Sequence, residues 1–580
     1  MYIKMSTETK KLPVNETNLS KLAINESIKT KSNYLRGTII EGLADRATGS
    51  MSEDDQQLIK FHGVYQQDDR DLRVERLQQK LEPAYSFMIR ARVPGGVSTA
   101  QQWLDFDALA SQYGAENFRL TTRQAFQLHG VIKQSLKQTI ADINASLLDT
   151  IAACGDVNRN VMCSIAPHLG KVYHEVLEVA TSISTHLTPH TRAYHEIWLD
   201  GKKLESGVEE AEPIYGKTYL PRKFKIGVAI PPYNDVDVFS QDIGFIAQIE
   251  SGVLLGFDIS IGGGMGATHG DQNTYPRAGS IIGFCLPNQV VAVAEEIVKI
   301  QRDYGNRINR KRARFKYTID DLGLDFITET LAERLGYALQ PAKLVEFIST
   351  GDNFGWHQDP DGLWSLALFI PQGRIVDTGD LKLRTALREI ASIHQGTMII
   401  TPNQNLVIAE IAGSNRSKIE SILKEASLVS LNNESGVRKR AIACVAFPTC
   451  GLAMAEAERY LPKFVEKVQE ILLDLALEEQ EISIRIRGCP NGCARPFLAE
   501  IGLVGKSVGR YNYYIGGSIT GDRLNRLYME NVDEVQIISS LRDILTDYAK
   551  NRLPQEGFGD FTIRKNYVAE VLEGRLFHAS

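Results

Sequence analysis

Hydrophobic and polar positions run through the same order twice along this chain. From Tyr85, the segment YSFMIRARVPGGVSTAQQWLDFDALASQYGAENFRLTTRQAFQLHGV opens on a strand-like stretch and breaks at a Pro-Gly turn. It then carries apolar residues at helical spacing for about three turns and closes on a second strand-like stretch. From Trp364, WSLALFIPQGRIVDTGDLKLRTALREIASIHQGTMIITPNQNLVIAEI repeats that order more weakly. Val93-Pro94 aligns with Ile370-Pro371, Thr121 with Thr401, and Gln124 with Gln404. The pattern predicts two α+β halves able to pair about a pseudo-twofold axis. Where the first copy has Arg90, Arg92, Arg119 and Arg123, the second has Ala367, Phe369, Ile399 and Asn403. A shared fold needs only the shared apolar pattern, so the four arginines read as additions for a ligand. The first copy is expected to bind and the second to support.

Each copy is followed by a longer α/β segment. Residues 150–345 contain the strand-like LPRKFKIGVAIPP, the glycine-rich GGGMGATHG at 262–270 and the basic run RINRKRARFK from Arg307 to Lys316. GGGMG lacks the G-x-G-x-x-G spacing of a dinucleotide site; it reads as a close-packed turn, beside a planar cofactor or not. In 430–580, the stretch AMAEAERYLPKFVEKVQEILLDLALE predicts a helix after Cys450, kinked at Pro462, and ISIRIR predicts a strand over 482–487 that delivers Cys489 at its end.

With 65 Lys and Arg against 71 Asp and Glu, the chain is slightly acidic overall, yet its basic residues cluster. Arg90 and Arg92, Arg119 and Arg123, the trio Arg222, Lys223 and Lys225, and the run ending in Arg314 and Lys316 are short groups in strand-like or Gly/Pro-flanked contexts. Convergence on a polyanionic small molecule explains them better than a nucleic-acid stripe, which an acidic chain disfavours. No apolar run is long enough for a membrane span, and the polar first thirty residues lack the apolar core of a signal peptide. A cytoplasmic, reducing location is expected, which keeps thiols free for metal.

Four of the seven cysteines form two pairs, Cys444 with Cys450 and Cys489 with Cys493, as C-x5-C and C-x3-C separated by 38 residues. Four thiolates suit a cubane iron–sulfur cluster, one per iron. Zinc sites favour tighter C-x2-C turns. Pro448 and Pro490 stiffen the loops, and Gly492 permits close backbone approach. Zinc and inert thiols remain the alternatives to a cluster. Cys154, Cys163 and Cys285 read as core thiols.

Together, the repeat, the basic groups and the cysteine pairs resemble the sulfite/nitrite reductase family, in its assimilatory, NADPH-linked branch. The resemblance runs from SNYLRG (32–37) to GFGDFT (557–562) through YQQDDRD, RVPGG, RLTTRQAFQLHG, NRNVMC, TRAYHEIWLD, TYLPRKFK, FPTCGLAMAEAERYLP and GCPNGCARP. It implies a three-domain α+β and α/β fold with a pseudo-twofold repeat of ferredoxin-like halves. The expected units are a flexible tail (1–31), an extension packing on the core (32–80), ferredoxin-like repeat one (81–149), an α/β domain with basic residues (150–345), repeat two (346–429) and the cysteine-bearing α/β domain (430–580). It further implies one [4Fe-4S] cluster and one sirohaem. Cys444, Cys450, Cys489 and Cys493 match the cluster ligands, and Cys493 the one whose sulfur also bridges to the sirohaem iron. Arg90, Arg159, Lys223 and Lys225 match the substrate-facing quartet. Arg119, Arg123, Arg222, Arg314, Lys316 and Asn491 match positions around the eight-carboxylate cofactor. His129 is balanced between a proton donor and a satisfied structural histidine. Ala494 stands where relatives often carry glycine, and the tail is longer than in some.

The implied activity is the six-electron reduction of sulfite to sulfide in sulfate assimilation and cysteine biosynthesis, with electrons from NADPH through a separate flavoprotein subunit in a hetero-oligomer. No flavin or nicotinamide site is recognisable in the chain itself, and neither nucleic acid nor membrane is an expected partner. Ferredoxin-dependent sulfite reduction and assimilatory nitrite reduction are the near alternatives; Lys223-Phe224-Lys225 favours sulfite. A non-redox cluster protein, whether a hydratase or a nucleic-acid binder, would need none of the four extra arginines.

Overall fold

In the computed structural model, residues 21–190 and 212–579 are described, together with the backbone of a short strand pair, β7 (Trp198–Leu199) and β8 (Lys202–Lys203). Residues 1–20 of the expected tail and most of TRAYHEIWLD lie outside the described residues.

The two repeats build two five-stranded sheets that exchange a strand. One sheet runs β1 (Val64–Asp68), β2 (Tyr85–Ala91), β5 (Phe126–Val131), β4 (Phe118–Leu120), β15 (Arg374–Ile375). Its partner runs β13 (Gly355–Gln358), β14 (Trp364–Leu368), β17 (Leu406–Ile411), β16 (Thr397–Ile400), β3 (Val97–Thr99). The short strand after each Pro-containing turn thus pairs with the other copy, Arg374 with Arg119 and Val97 with Ile399. Helices Ala100–Gln112 and Leu383–Ile393 pack on each other, and one buried core containing Trp103, Phe106, Leu387 and Ile390 serves both halves. Neither half has a separate hydrophobic centre, so they stabilise one another directly.

The longer segments also correspond to each other. Strands β6 (Met162–Cys163), β9 (Ile226–Ala229) and β10 (Ile243–Glu250) are parallel, with β11 (Val253–Ile261) and β12 (Ser280–Cys285) antiparallel beyond them. Strands β18 (Ala441–Ala443), β19 (Ile484–Arg487), β20 (Ile501–Ser507), β21 (Arg510–Ile515) and β22 (Arg526–Val532) follow the same order and directions.

Three expectations need correction. The tail is shorter than residue 31: Ile24–Lys31 is a helix, held because Lys29 and Glu26 are buried and paired and Arg307 bonds Glu26 at 2.5 Å. The first repeat begins earlier than residue 81, since β1 at Val64–Asp68 is the edge strand of its sheet and the counterpart of β13. Pro462 does not kink a helix from 453; the helix is Leu461–Asp474 with the proline in its first turn, where its missing N–H costs nothing. Among the described residues no helix is long and apolar enough to cross a membrane.

Candidate active site

Parallel strands β18 and β19 run out side by side, so the loops at their carboxyl ends share one edge of the sheet. Cys444 follows β18 and donates its N–H to Ile486 O. Ala446 turns the chain at φ 53°, and Cys450 N–H closes the turn on Ala446 O at 2.9 Å. Arg70, from the motif YQQDDRD, clamps this loop. Its guanidinium lies 4.4 Å from the Phe447 ring centre and donates to Ala453 O (2.6 Å) and Cys450 O (3.2 Å).

The second loop leaves β19 through Gly488, where a Cβ would fall 2.6 Å from Ala455 O, so only glycine fits. At Gly492, φ is +77° and a Cβ would meet the Met265 carbonyl carbon at 2.5 Å. Ala267 N–H donates to Pro490 O at 2.8 Å. Gly266, where a Cβ would fall 3.0 Å from Asn491 O, therefore serves backbone-on-backbone packing against the Cys489–Cys493 loop. Lys316 was expected at the cofactor, but it spends its three N–H groups on the carbonyls of Gly264, Gly266 and Tyr275. It is fully buried and holds the glycine loop in place.

Among the described residues no three Cys, His, Asp or Glu side chains converge at the distances of a single metal ion. Cys489 and Cys493 nevertheless lie near enough to act on the ionisation of Cys444 and Cys450. Burial, then Cys444, Cys489 and Cys493, push the Cys450 thiol up to about 12. Burial likewise raises Cys444, against the pull of Arg487. Cys493 goes the other way: burial opposes ionisation, but Arg487, Lys223, Lys225 and Arg90 bring it down to about 6. Its side chain is exposed, and these four cations stand near it. In metal-free protein at pH 7, iodoacetamide should therefore alkylate Cys493 well before Cys450, because the thiolate is the nucleophile. Peptide mass spectrometry reads the order of labelling, and equal labelling would refute this electrostatic picture.

The charges acting on Cys493 show which basic residues converge. Lys223 and Lys225 flank Phe224, which is buried in the core, so strand alternation turns both ammoniums to the opposite face. Burial, then Arg222, Arg314 and Arg159 for Lys223 and Arg123, Lys223 and Arg314 for Lys225, hold both well below the usual lysine range. Arg90 donates to Gln127 Oε1 (2.9 Å) and Cys154 Sγ (3.2 Å). Arg159 reaches Tyr65 Oη at 3.4 Å and Gly155 O at 3.2 Å. Arg123 is held by Gln241 Oε1 at 2.5 Å. Arg314 pairs with Asp242 (3.0 Å), and Asn491 lies in the second cysteine loop against Gly266. Arg222 stands 3.7 Å from Asp156, which Arg310 and Lys29 also share. Arg119 is turned to structural work, donating to Ala443 O and Gln372 O at 2.9 Å beside Glu458. Cations thus outnumber carboxylates around Cys493, an arrangement that calls for an anionic occupant.

The remaining sequence expectations divide. His129 bonds Gln67 and Gln127 through its two ring nitrogens and is kept neutral by burial, so it orients the glutamine that holds Arg90. Cys163 and Cys285 are core thiols, whereas Cys154 belongs to the site through Arg90. Among the run from Arg307, Arg307, Arg310, Arg312 and Arg314 pair with Glu26, Asp156, Asp321 and Asp242, which leaves little of it for a nucleic acid. In the second repeat, Ala367 and Ile399 lie in a small apolar cluster, and Asn403 bonds Thr350 O and Asp352. Sequence reading missed Tyr65, Arg70, Gln127 and Asp156, each defined by a contact from a distant part of the chain, and Arg487, defined by the carboxylate it lacks among the described residues.

A family model described as "Nitrite and sulphite reductase 4Fe-4S domain" matches residues 178–339, and one described as "Nitrite/Sulfite reductase ferredoxin-like half domain" matches residues 79–146 and 357–426. The segment matched under the first description holds only Cys285; the paired cysteines lie in the segment that repeats its sheet order. The "Sulfite reductase [NADPH] hemoprotein beta-component" of Oceanobacillus iheyensis is 56% identical over 96% of this chain and 96% of its own. The protein so named in Staphylococcus saprophyticus is 55% identical over 96% and 98%. The solved structure of Mycobacterium tuberculosis NirA shares the fold, with a TM-score of 0.75 at 23% identity over 94% of this chain and 97% of that one.

Proposed function

We infer the activity from the chain's family: it belongs to the nitrite and sulfite reductases, among relatives named as the haemoprotein beta-component of NADPH sulfite reductase. It reduces sulfite to sulfide by six electrons at a sirohaem coupled to a [4Fe-4S] cluster, as the cytoplasmic partner of a flavoprotein subunit that oxidises NADPH. The observation that carries this reading is the excess of cations around Cys493, the exposed thiol of the four.

The donor set fits both groups. Four neighbouring thiols too far apart for one ion suit a cluster with one iron per cysteine, so Cys444, Cys450, Cys489 and Cys493 would hold it. Arg123, Arg222, Arg314 and Asn491 would face the sirohaem carboxylates, while Lys316 and Arg119 fix the loops around them. When bound, the two groups would supply electrons singly, and Cys493 would help to hold both. Arg90, Arg159, Lys223 and Lys225 then bind the sulfite oxygens through charge-assisted hydrogen bonds. The lowered affinity of Lys223 and Lys225 for their protons suits them to release protons to the departing oxygens and regain them from solvent. Burial of Phe224 fixes the backbone between them, so both ammoniums stay aimed at the same space.

With reduced methyl viologen under anaerobic conditions, the purified chain should reduce sulfite in preference to nitrite. With NADPH it should turn over only when the flavoprotein subunit is added, since hydride pairs must be split into single electrons. Fast turnover with ferredoxin but none with NADPH and flavoprotein would overturn the electron-supply assignment.

A further inference from the structure

Strand β19 alternates Ile484, Arg485, Ile486, Arg487, and the two isoleucines enter the hydrophobic core of the cysteine-bearing segment. Both arginines therefore point the other way, and both are buried. Arg485 has a carboxylate there: it pairs with Asp237 at 2.7 Å and donates to Arg495 O at 3.2 Å, with only its Nε left over. Arg487 has none. Only 1% exposed, it has no carboxylate within 4 Å among the described residues, and its Nε and Nη1 have no hydrogen-bond partner there. Its one hydrogen bond among the described residues is Nη2 to Cys489 Sγ at 3.4 Å.

A buried guanidinium with unspent N–H groups is strongly unfavourable unless an anion sits beside it. The cysteine sulfurs are the counter-charge at hand.

We propose that Arg487 is the fixed counter-charge of the iron–sulfur cluster, a positioning residue that raises the cluster's reduction potential by favouring its more negative, reduced state. The inference rests on the cluster reading above. One electron enters on reduction and no bond forms or breaks, so the local charge becomes one unit more negative while the guanidinium stays put. Coulomb attraction in a poorly solvated site then favours the reduced form.

The test uses the holoprotein and the substitutions Arg487→Met and Arg487→Lys, with iron and acid-labile sulfide assays and a potentiometric titration followed by electron paramagnetic resonance. At a fixed solution potential, the methionine variant should show a reduced-to-oxidised ratio at least about tenfold lower, a shift of about 59 mV for one electron. The lysine variant keeps the charge and should stay within about threefold of the unaltered protein, a fraction of that interval. If methionine abolishes cluster retention while lysine preserves it, the counter-charge role also stands. Unchanged potentials in both variants, or equal cluster loss in both, would overturn it. Absence of iron from the unaltered protein would sink the cluster reading itself, and the inference with it.

Discussion

Cys493→Ser protein should be purified without sulfite reductase activity and with both chromophores disturbed. The unaltered chain is expected to hold about five irons, four in the cluster and one in sirohaem. Cys493 differs from its three companions in being exposed, and its ionisation answers to Arg487, Lys223, Lys225 and Arg90. A thiolate in that position would connect the proposed cluster to the proposed anion-binding residues. Serine keeps the shape but replaces a thiolate by a poor iron ligand. Cys450→Ser is the informative control: burial, the other cysteines and a backbone N–H dominate that thiol's ionisation, so its loss should disturb the cluster first and sirohaem less directly. Iron analysis and the visible absorption spectrum check both. An intact sirohaem spectrum in Cys493→Ser, or zinc in place of iron, would count against the shared-ligand role.

Lys225→Met should lower sulfite turnover by about 10²–10³ while both cofactors stay bound, the usual cost of losing one preorganised donor where charge develops. Methionine preserves the length of the side chain and the packing of its stem. What disappears is an ammonium that burial, Arg123, Lys223 and Arg314 hold well below the usual lysine range. The sign of the pH effect follows. A lysine with a lowered pKa is charged below that value and loses its proton as pH rises through it. Anion binding needs the charged form, so kcat/KM should fall on the alkaline side, earlier than an unperturbed lysine near about 10.4 would allow. The methionine variant should have a flatter profile there. Arg123→Ala should behave differently: Arg123 is held by Gln241 and by the carbonyls of Asn160 and Ile226, so its loss should weaken sirohaem retention. Normal turnover by Lys225→Met would show that the substrate quartet is wrongly assigned.

Phe224 illustrates what was legible without coordinates. A hydrophobic residue between two lysines in a strand-like stretch already says that the lysines share a face. The same holds for the repeat, where apolar periodicity and two matched turns announce paired halves, and for the cysteine pairs, whose spacing is local. Lys316 and Arg119 illustrate what was not. Each is a basic residue in a basic group, yet one is consumed by three carbonyls of the glycine loop and the other by the carbonyls of Ala443 and Gln372. Whether an ammonium or guanidinium is free depends on where distant backbone carbonyls arrive, which no local pattern encodes.

The pattern of the chain by itself determined the two-fold α+β plan, the two cysteine pairs and the groups of cations, because periodicity, turn chemistry and pair spacing act over a few residues. Tertiary structure alone decided that β3 and β15 cross between the halves, that Gly266 packs on the Cys489–Cys493 loop, and that Arg487 rather than Arg485 faces the Cys489 thiol. Those outcomes hang on contacts between residues hundreds of positions apart, and on which buried charge finds a carboxylate. Asp237 reaches Arg485 but lies outside ion-pair distance of Arg487, and that difference leaves Arg487 beside Cys489 with no carboxylate partner among the described residues.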